Sequence, residues 1–149
     1  MPKSGTALAL DYGKAKTGVA VGHPLTGSAQ PLNPLPSKSQ AQLLAGLAEL
    51  FRAWQPAQVV VGLPLASDGL DTPMSETIRA FGDTLQNAHP GVEVIFHDER
   101  LTSQAAASVH ADRRQSGQSR SRDAQKLDSV AAALILESWM REQQEASCH

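Results

Sequence analysis

Apolar positions along this chain switch between two rhythms, and the switches mark its elements. In TALALDYG an apolar run stops at Asp11-Tyr12-Gly13, which predicts a strand over 6–11. KAK makes a short turn and TGVAVGHP predicts a returning strand, antiparallel because so short a connection cannot cross over. SAQPLNPLP carries three prolines and leaves room for only a short third or edge strand. In SKSQAQLLAGLAELFRAWQP, Leu43, Leu44, Leu47, Leu50, Phe51 and Trp54 share one helical face. Ser37 or Ser39 can cap that helix, and Pro56 forbids its continuation. Val59-Val60-Val61 is a continuous apolar run, as in a strand covered on both faces, and Gly62 and Pro64 end it. Pro73 opens a second helix with Met74, Ile78, Phe81 and Leu85 on its face. A strand over Val92–His97 follows, then a helix capped by Thr102 or Ser103 and running to about Gln115. SGQSRSRD is a basic loop, and the last helix runs from Leu127 to about Gln143.

The predicted order is β-β-(β)-α-β-α-β-α-α, a meander followed by βαβ units. Right-handed crossovers place the later strands in one sheet with the first. The chain shows no internal repeat and no linker, so a single domain is expected over 1–149, with an ordered core over about 5–143. The first strand, the VVVG strand and the VIFH strand are then parallel, and their C-terminal ends share one edge, where open α/β sheets bind ligands.

Acids gather at that edge. Asp11 ends the first strand, and Asp98 and Glu99 end the third of the parallel set. Asp128 shares a face of the last helix with Ala131, Ala132, Ile135 and Trp139, the face turned to the sheet. Each has a plainer reading alone: Asp11 as a turn residue before Gly13, Asp128 as an N-cap, Asp98-Glu99-Arg100 as a solvated strand exit. Together they form a cluster of like charge that needs a divalent cation, and hard oxygen ligands suit Mg²⁺ or Mn²⁺. Adjacent strand residues face opposite ways, so Glu99 rather than Asp98 is expected to enter the site, with Asp98 as a candidate additional ligand.

Composition narrows the setting. The 149 residues are 41% hydrophobic with a formal net charge of −2, which excludes a disordered chain and argues against a general nucleic-acid coat protein. The charge is uneven, however. Arg100, Arg113, Arg114, Arg120, Arg122 and Lys126 face only Asp112 and Asp123 over that stretch, which suits a directed phosphate contact. Arg120 and Arg122, in a Ser/Gly loop, are expected to grip substrate. The one cysteine, Cys148, permits no internal disulfide and no cysteine-based zinc site, which fits a cytoplasmic setting. No signal peptide or membrane span is expected. The scattered histidines make a zinc site improbable, and DYGKAKTG lacks the Walker pattern of a phosphate loop.

LALDYGKAKTGVAVGHP, VVVGLPLASDG, HDERLTS and KLDSVAAALIL, in that order over about Ala7 to Met140, resemble the YqgF/RuvX family of RNase H-like nucleases. Its members are described as pre-16S rRNA nucleases or Holliday-junction resolvase-like proteins. The resemblance implies an α/β fold of the RNase H-like kind, a five-stranded mixed sheet flanked by helices. It also implies divalent-metal phosphodiester hydrolysis, with Asp11, Glu99 and Asp128 as the acidic residues. Family members commonly carry Arg where this chain has Lys16, and Ser-Asp-Pro where it has Gly22-His23-Pro24.

In the mechanism so implied, two Mg²⁺ or Mn²⁺ ions held by Asp11, Glu99 and Asp128 clamp an in-line displacement. Lys16, Arg100, Arg120 and Arg122 meet phosphate, as do Thr102 and Ser103 at a helix start. RNA is the preferred partner, in 5′-end processing of pre-16S rRNA on ribosomal precursor particles. The alternatives are a junction-cutting DNA nuclease, which wants a symmetric dimer, and a catalytically weak RNA-binding assembly factor. An actin-like ATPase ranks last, because the chain is too short for two such domains.

Overall fold

Parity along the strands decides what lies on each side of the sheet. The computed structural model describes residues 5–101 and 129–147. Five strands, β1 (Ala7–Asp11), β2 (Lys16–His23), β3 (Ser28–Pro36), β4 (Gln58–Leu63) and β5 (Glu93–Asp98), form one sheet in the order β3-β2-β1-β4-β5. β1 runs antiparallel to β2 and β2 to β3, whereas β1, β4 and β5 are mutually parallel. On one face Leu8, Leu10, Val19, Val21, Val59 and Val61 pack against α1 (Gln40–Trp54) and α2 (Pro73–Ala88). On the other, Ala7, Ala9, Ala20 and Val60 meet Ala132, Ala133, Ile135, Leu136 and Trp139 of α3 (Val130–Ser147). Large residues face two helices and small ones face a single helix that lies close against the strands.

The helix starts carry their own signals. Ser39 caps α1, its side chain accepting from the Gln42 N–H. Thr72 and Ser75 form a reciprocal capping box on α2, with Pro73 in the first turn. α1 buries Leu43, Leu47 and Phe51. Trp54, expected on that buried face, is 41% exposed, because it is the last helical residue before Gln55 turns left-handed at φ 47°.

Two further expectations change. β3 is a nine-residue strand rather than a short one. It lies at the sheet edge, where Pro31, Pro34 and Pro36 need not donate, and its register with β2 shifts between Thr17 and Val19. α3 begins at Val130 rather than Leu127 and continues to Ser147. The Ser129 carbonyl accepts the Ala133 N–H, so Ser129 takes the cap position that the sequence also allowed for Asp128. The helix expected from Thr102 or Ser103 to Gln115, the basic loop after it, and Asp128 lie outside the described residues.

α3 is tied to the sheet at several points. The Val19 N–H donates to Ser129 Oγ at 2.9 Å, and the Ala29 N–H donates to Glu137 at 3.2 Å. The buried His97 ring lies 3.1 Å from Ser138 Oγ and 3.2 Å from Glu142. At the far rim, Gln86 of α2 bonds the backbone where β5 begins, donating to the Val92 carbonyl just before the strand and accepting from the Val94 N–H.

Candidate active site

Asp11 closes β1 with the parity of Ala7 and Ala9, so it faces α3. The turn beyond it is fixed from two sides. Ser37 Oγ donates to the Gly13 carbonyl at 2.7 Å, and the Ser37 N–H donates to the Ala15 carbonyl at 2.9 Å. Glu99 follows β5 as the first residue of a short 3-10 turn, Glu99–Leu101. Ile95 and His97 face α3, and Glu99 continues that side past the end of the strand.

The two carboxyl groups hydrogen-bond one another. Burial raises the Asp11 carboxyl above its ordinary range, and the bond to Glu99 works against that rise. Glu99 is pushed up to about 7, first by burial and then by the nearby charge of Asp11. Two acids this close cannot both ionise without cost unless a cation joins them.

Asp98 does not join the pair. Its carboxylate takes the forked guanidinium of Arg100, with Nη2 at 2.7 Å and Nε at 2.9 Å from Oδ2, and accepts the Arg100 N–H at 2.9 Å. Those bonds hold the Asp98 carboxyl below its usual range. Arg100 also donates to the Ser67 carbonyl at 3.1 Å and so braces the 64–72 loop between β4 and α2. Thr72 anchors that loop's other end, donating to the Pro64 carbonyl at 3.0 Å.

Of the residues predicted from sequence, the structure therefore brings Asp11 and Glu99 together. It engages Asp98 and Arg100 with each other and leaves Lys16 exposed at the start of β2. Asp128, Thr102, Ser103, Arg120 and Arg122 lie outside the described residues, and among those described no group of three metal-ligating side chains assembles. Two contributors went unread in the sequence. Ser129 pins the start of α3 to β2 beside Asp11, since Val19 pairs with Leu10. Gly62, on β4 between the two acids, looked like a strand terminator. The signals were there: a serine following Asp128, and a glycine closing a run of three valines.

The site fits a divalent cation. Its donors are all carboxylate oxygens, and their mutual repulsion is what such an ion relieves. Asp11 and Glu99 would hold it, and Asp128 is bonded in sequence to the pinned Ser129.

The strand order, the antiparallel first hairpin and the acids at the carboxyl ends of β1 and β5 define an RNase H-like fold. Solved structures share it, among them two resolvases. A yeast mitochondrial Holliday junction resolvase matches with a TM-score of 0.62 at 18% identity, over 99% of this chain and 82% of that one. RuvC of T. thermophilus, bound to a Holliday junction substrate, matches at 0.61 and 15%, over 93% and 96%. Residues 5–142 match the family described as "RuvX: Holliday junction resolvase", and the chain belongs to that family. A Nitrosospira multiformis relative named "Putative pre-16S rRNA nuclease" is 39% identical over 93% of this chain and 89% of its own length. A relative of the same name from Salmonella newport is 37% identical over 93% and 98%.

Proposed function

We propose that this protein is a divalent-metal-dependent nuclease that hydrolyses phosphodiester bonds in RNA, with the 5′ end of pre-16S rRNA as its substrate in the cytoplasm. The observation that carries the reading is the hydrogen-bonded pair Asp11–Glu99, two acids held together at the carboxyl edge of the parallel strands. The names of the relatives support the choice of RNA, and the formal net charge of −2 suits one strand in one groove better than the several duplex arms of a junction.

When bound, Mg²⁺ or Mn²⁺ supplies Lewis acidity, activating the attacking water and neutralising charge that builds on the phosphate. The chain does the rest. Asp11 and Glu99 must give up the proton they share to act as ligands, with Asp128 as the third. Burial under α3 keeps both carboxyls partly dry, which strengthens their hold on a cation. Asp98 and Arg100 hold the 64–72 loop beside the site. Lys16, Thr102, Ser103, Arg120 and Arg122 are the proposed phosphate contacts, joined by Arg100 where its fork can release Asp98.

The test is a cleavage assay with Mg²⁺ or Mn²⁺ at matched ionic strength on single-stranded RNA, precursor rRNA and a four-way DNA junction, with Asp11→Asn as control. Cleavage of the RNAs by the parent chain alone is expected. Symmetric paired nicks in the junction, faster than RNA cleavage, would replace this reading with a resolvase.

A further inference from the structure

β4 stands between β1 and β5, so a side chain passing from the end of β5 to the end of β1 must cross it. Leu10 pairs with Val61 and Gly62 with His97, which puts Gly62 in the crossing row one step beyond the Leu10–Val61 pair. By parity Gly62 follows Val60 and faces α3, the side on which Asp11 and Glu99 meet. Its φ is not among the positive values, which belong to Gly5, Gly27 and Gly69 among the described glycines. Backbone freedom is therefore not the reason for a glycine here. Space is. A Cβ on Gly62 would lie 2.6 Å from Glu99 Oε1, 3.1 Å from Glu99 Cγ and 2.5 Å from Ile135 Cδ1.

We propose that Gly62 is a positioning residue for the acidic pair: its missing side chain is the slot through which Glu99 crosses β4 to reach Asp11, roofed by Ile135 of α3. The proposal rests on the reading of Asp11 and Glu99 as cation ligands. The slot is narrow on both sides. The atoms a methyl group would meet first are the ends of side chains rather than backbone, so the strand itself need not move. What must yield is the Glu99 carboxylate together with Ile135 Cδ1. A residue chosen only to end the strand would not need this emptiness, and Leu63 beyond it carries a full side chain that is buried.

The experiment measures Mn²⁺ affinity of the full chain by calorimetry or paramagnetic resonance, with melting temperature alongside. Four proteins are compared with the parent: Gly62→Ala, Gly62→Ala/Ile135→Val, Ile135→Val and Glu99→Gln. Gly62→Ala should bind Mn²⁺ about tenfold or more weakly, the size of effect seen when residues that orient metal ligands are changed. Removing Cδ1 in the double variant should not restore the affinity, since the contact with Glu99 remains, and it carries the test should the single variant be unstable. Parent-like affinity in Gly62→Ala, with Glu99→Gln weakened, would overturn the role of Gly62 and leave the cation site standing. Restored affinity in the double variant would also overturn it, by tracing the defect to the seating of α3. Parent-like affinity in Glu99→Gln would overturn the cation reading and this proposal with it.

Discussion

Asp11 and Glu99 are hydrogen-bonded to one another although both are acids, and Glu99 is pushed up to about 7, so below that pH the metal-free pair holds a proton between them. An ionised carboxylate only accepts, and a bond between two carboxyls needs one O–H. The fold thus keeps a pair that works against its own stability.

Asp11→Asn should abolish cleavage while leaving the metal-free melting temperature unchanged or raised, by about 2–4 °C for ~1 kcal/mol of relieved repulsion. Asparagine keeps the shape and a donor for Glu99 but cannot serve as an anionic ligand. Thermal melts and the RNA assay on one preparation check both halves. Normal turnover, or a marked fall in melting temperature, would instead make Asp11 a turn residue.

Stability of the metal-free protein should fall as pH rises between about 4.5 and about 7. Glu99 has its ordinary value of 4.5 when unfolded and is pushed up to about 7 when folded. Within that window the folded state binds the extra proton, so raising pH favours unfolding, and above it the effect levels off. The loss is about 1–2 kcal/mol once solvent around a partly exposed carboxyl is allowed for. Melting curves in EDTA should show the slope, and excess Mg²⁺ should flatten it.

Glu99→Ala should lower cleavage by at least about 100-fold, whereas Asp98→Ala should keep most of it. Asp98→Ala has a different signature: Arg100 loses its forked partner, and limited proteolysis should find the 64–72 loop easier to cut. An inactive Asp98→Ala beside a normal Glu99→Ala would reverse the assignment.

Charge reversal of both Arg120 and Arg122 should weaken nucleic-acid binding and flatten its salt dependence by roughly one unit of slope per lost phosphate contact. Catalysis at saturating RNA should survive. Unchanged binding at low salt would leave the loop as solvated surface.

Period and parity carried most of the fold. Alternation through Ala7, Ala9 and Asp11 already placed the last on one side, and the valine run of β4 marked a strand covered twice. What stayed hidden depends on distant neighbours. Trp54 fits the helical stripe, but its exposure follows from where the helix stops. Arg100 looks like a phosphate ligand beside acids, yet its fork closes on Asp98 and its other arm reaches Ser67, a partner no local pattern names. The expected contest between Asp98 and Glu99 assumed a continuing strand. The chain breaks into a 3-10 turn at Glu99, so that position is set by the turn as well as by alternation.

The two rims of the sheet bear on how copies of this protein can meet. An unprotected outer strand offers N–H and C=O groups on which another sheet can grow. Along β3, Pro31, Pro34 and Pro36 supply no N–H at all. At β5, Gln86 already occupies the Val92 carbonyl just before the strand and the Val94 N–H within it, covering the start of the strand. Edge-to-edge growth into a continuous ribbon is thereby discouraged at both sides. Fibre-like association is disfavoured at high protein concentration, and a twofold assembly, where one forms, is directed to helix faces and loops.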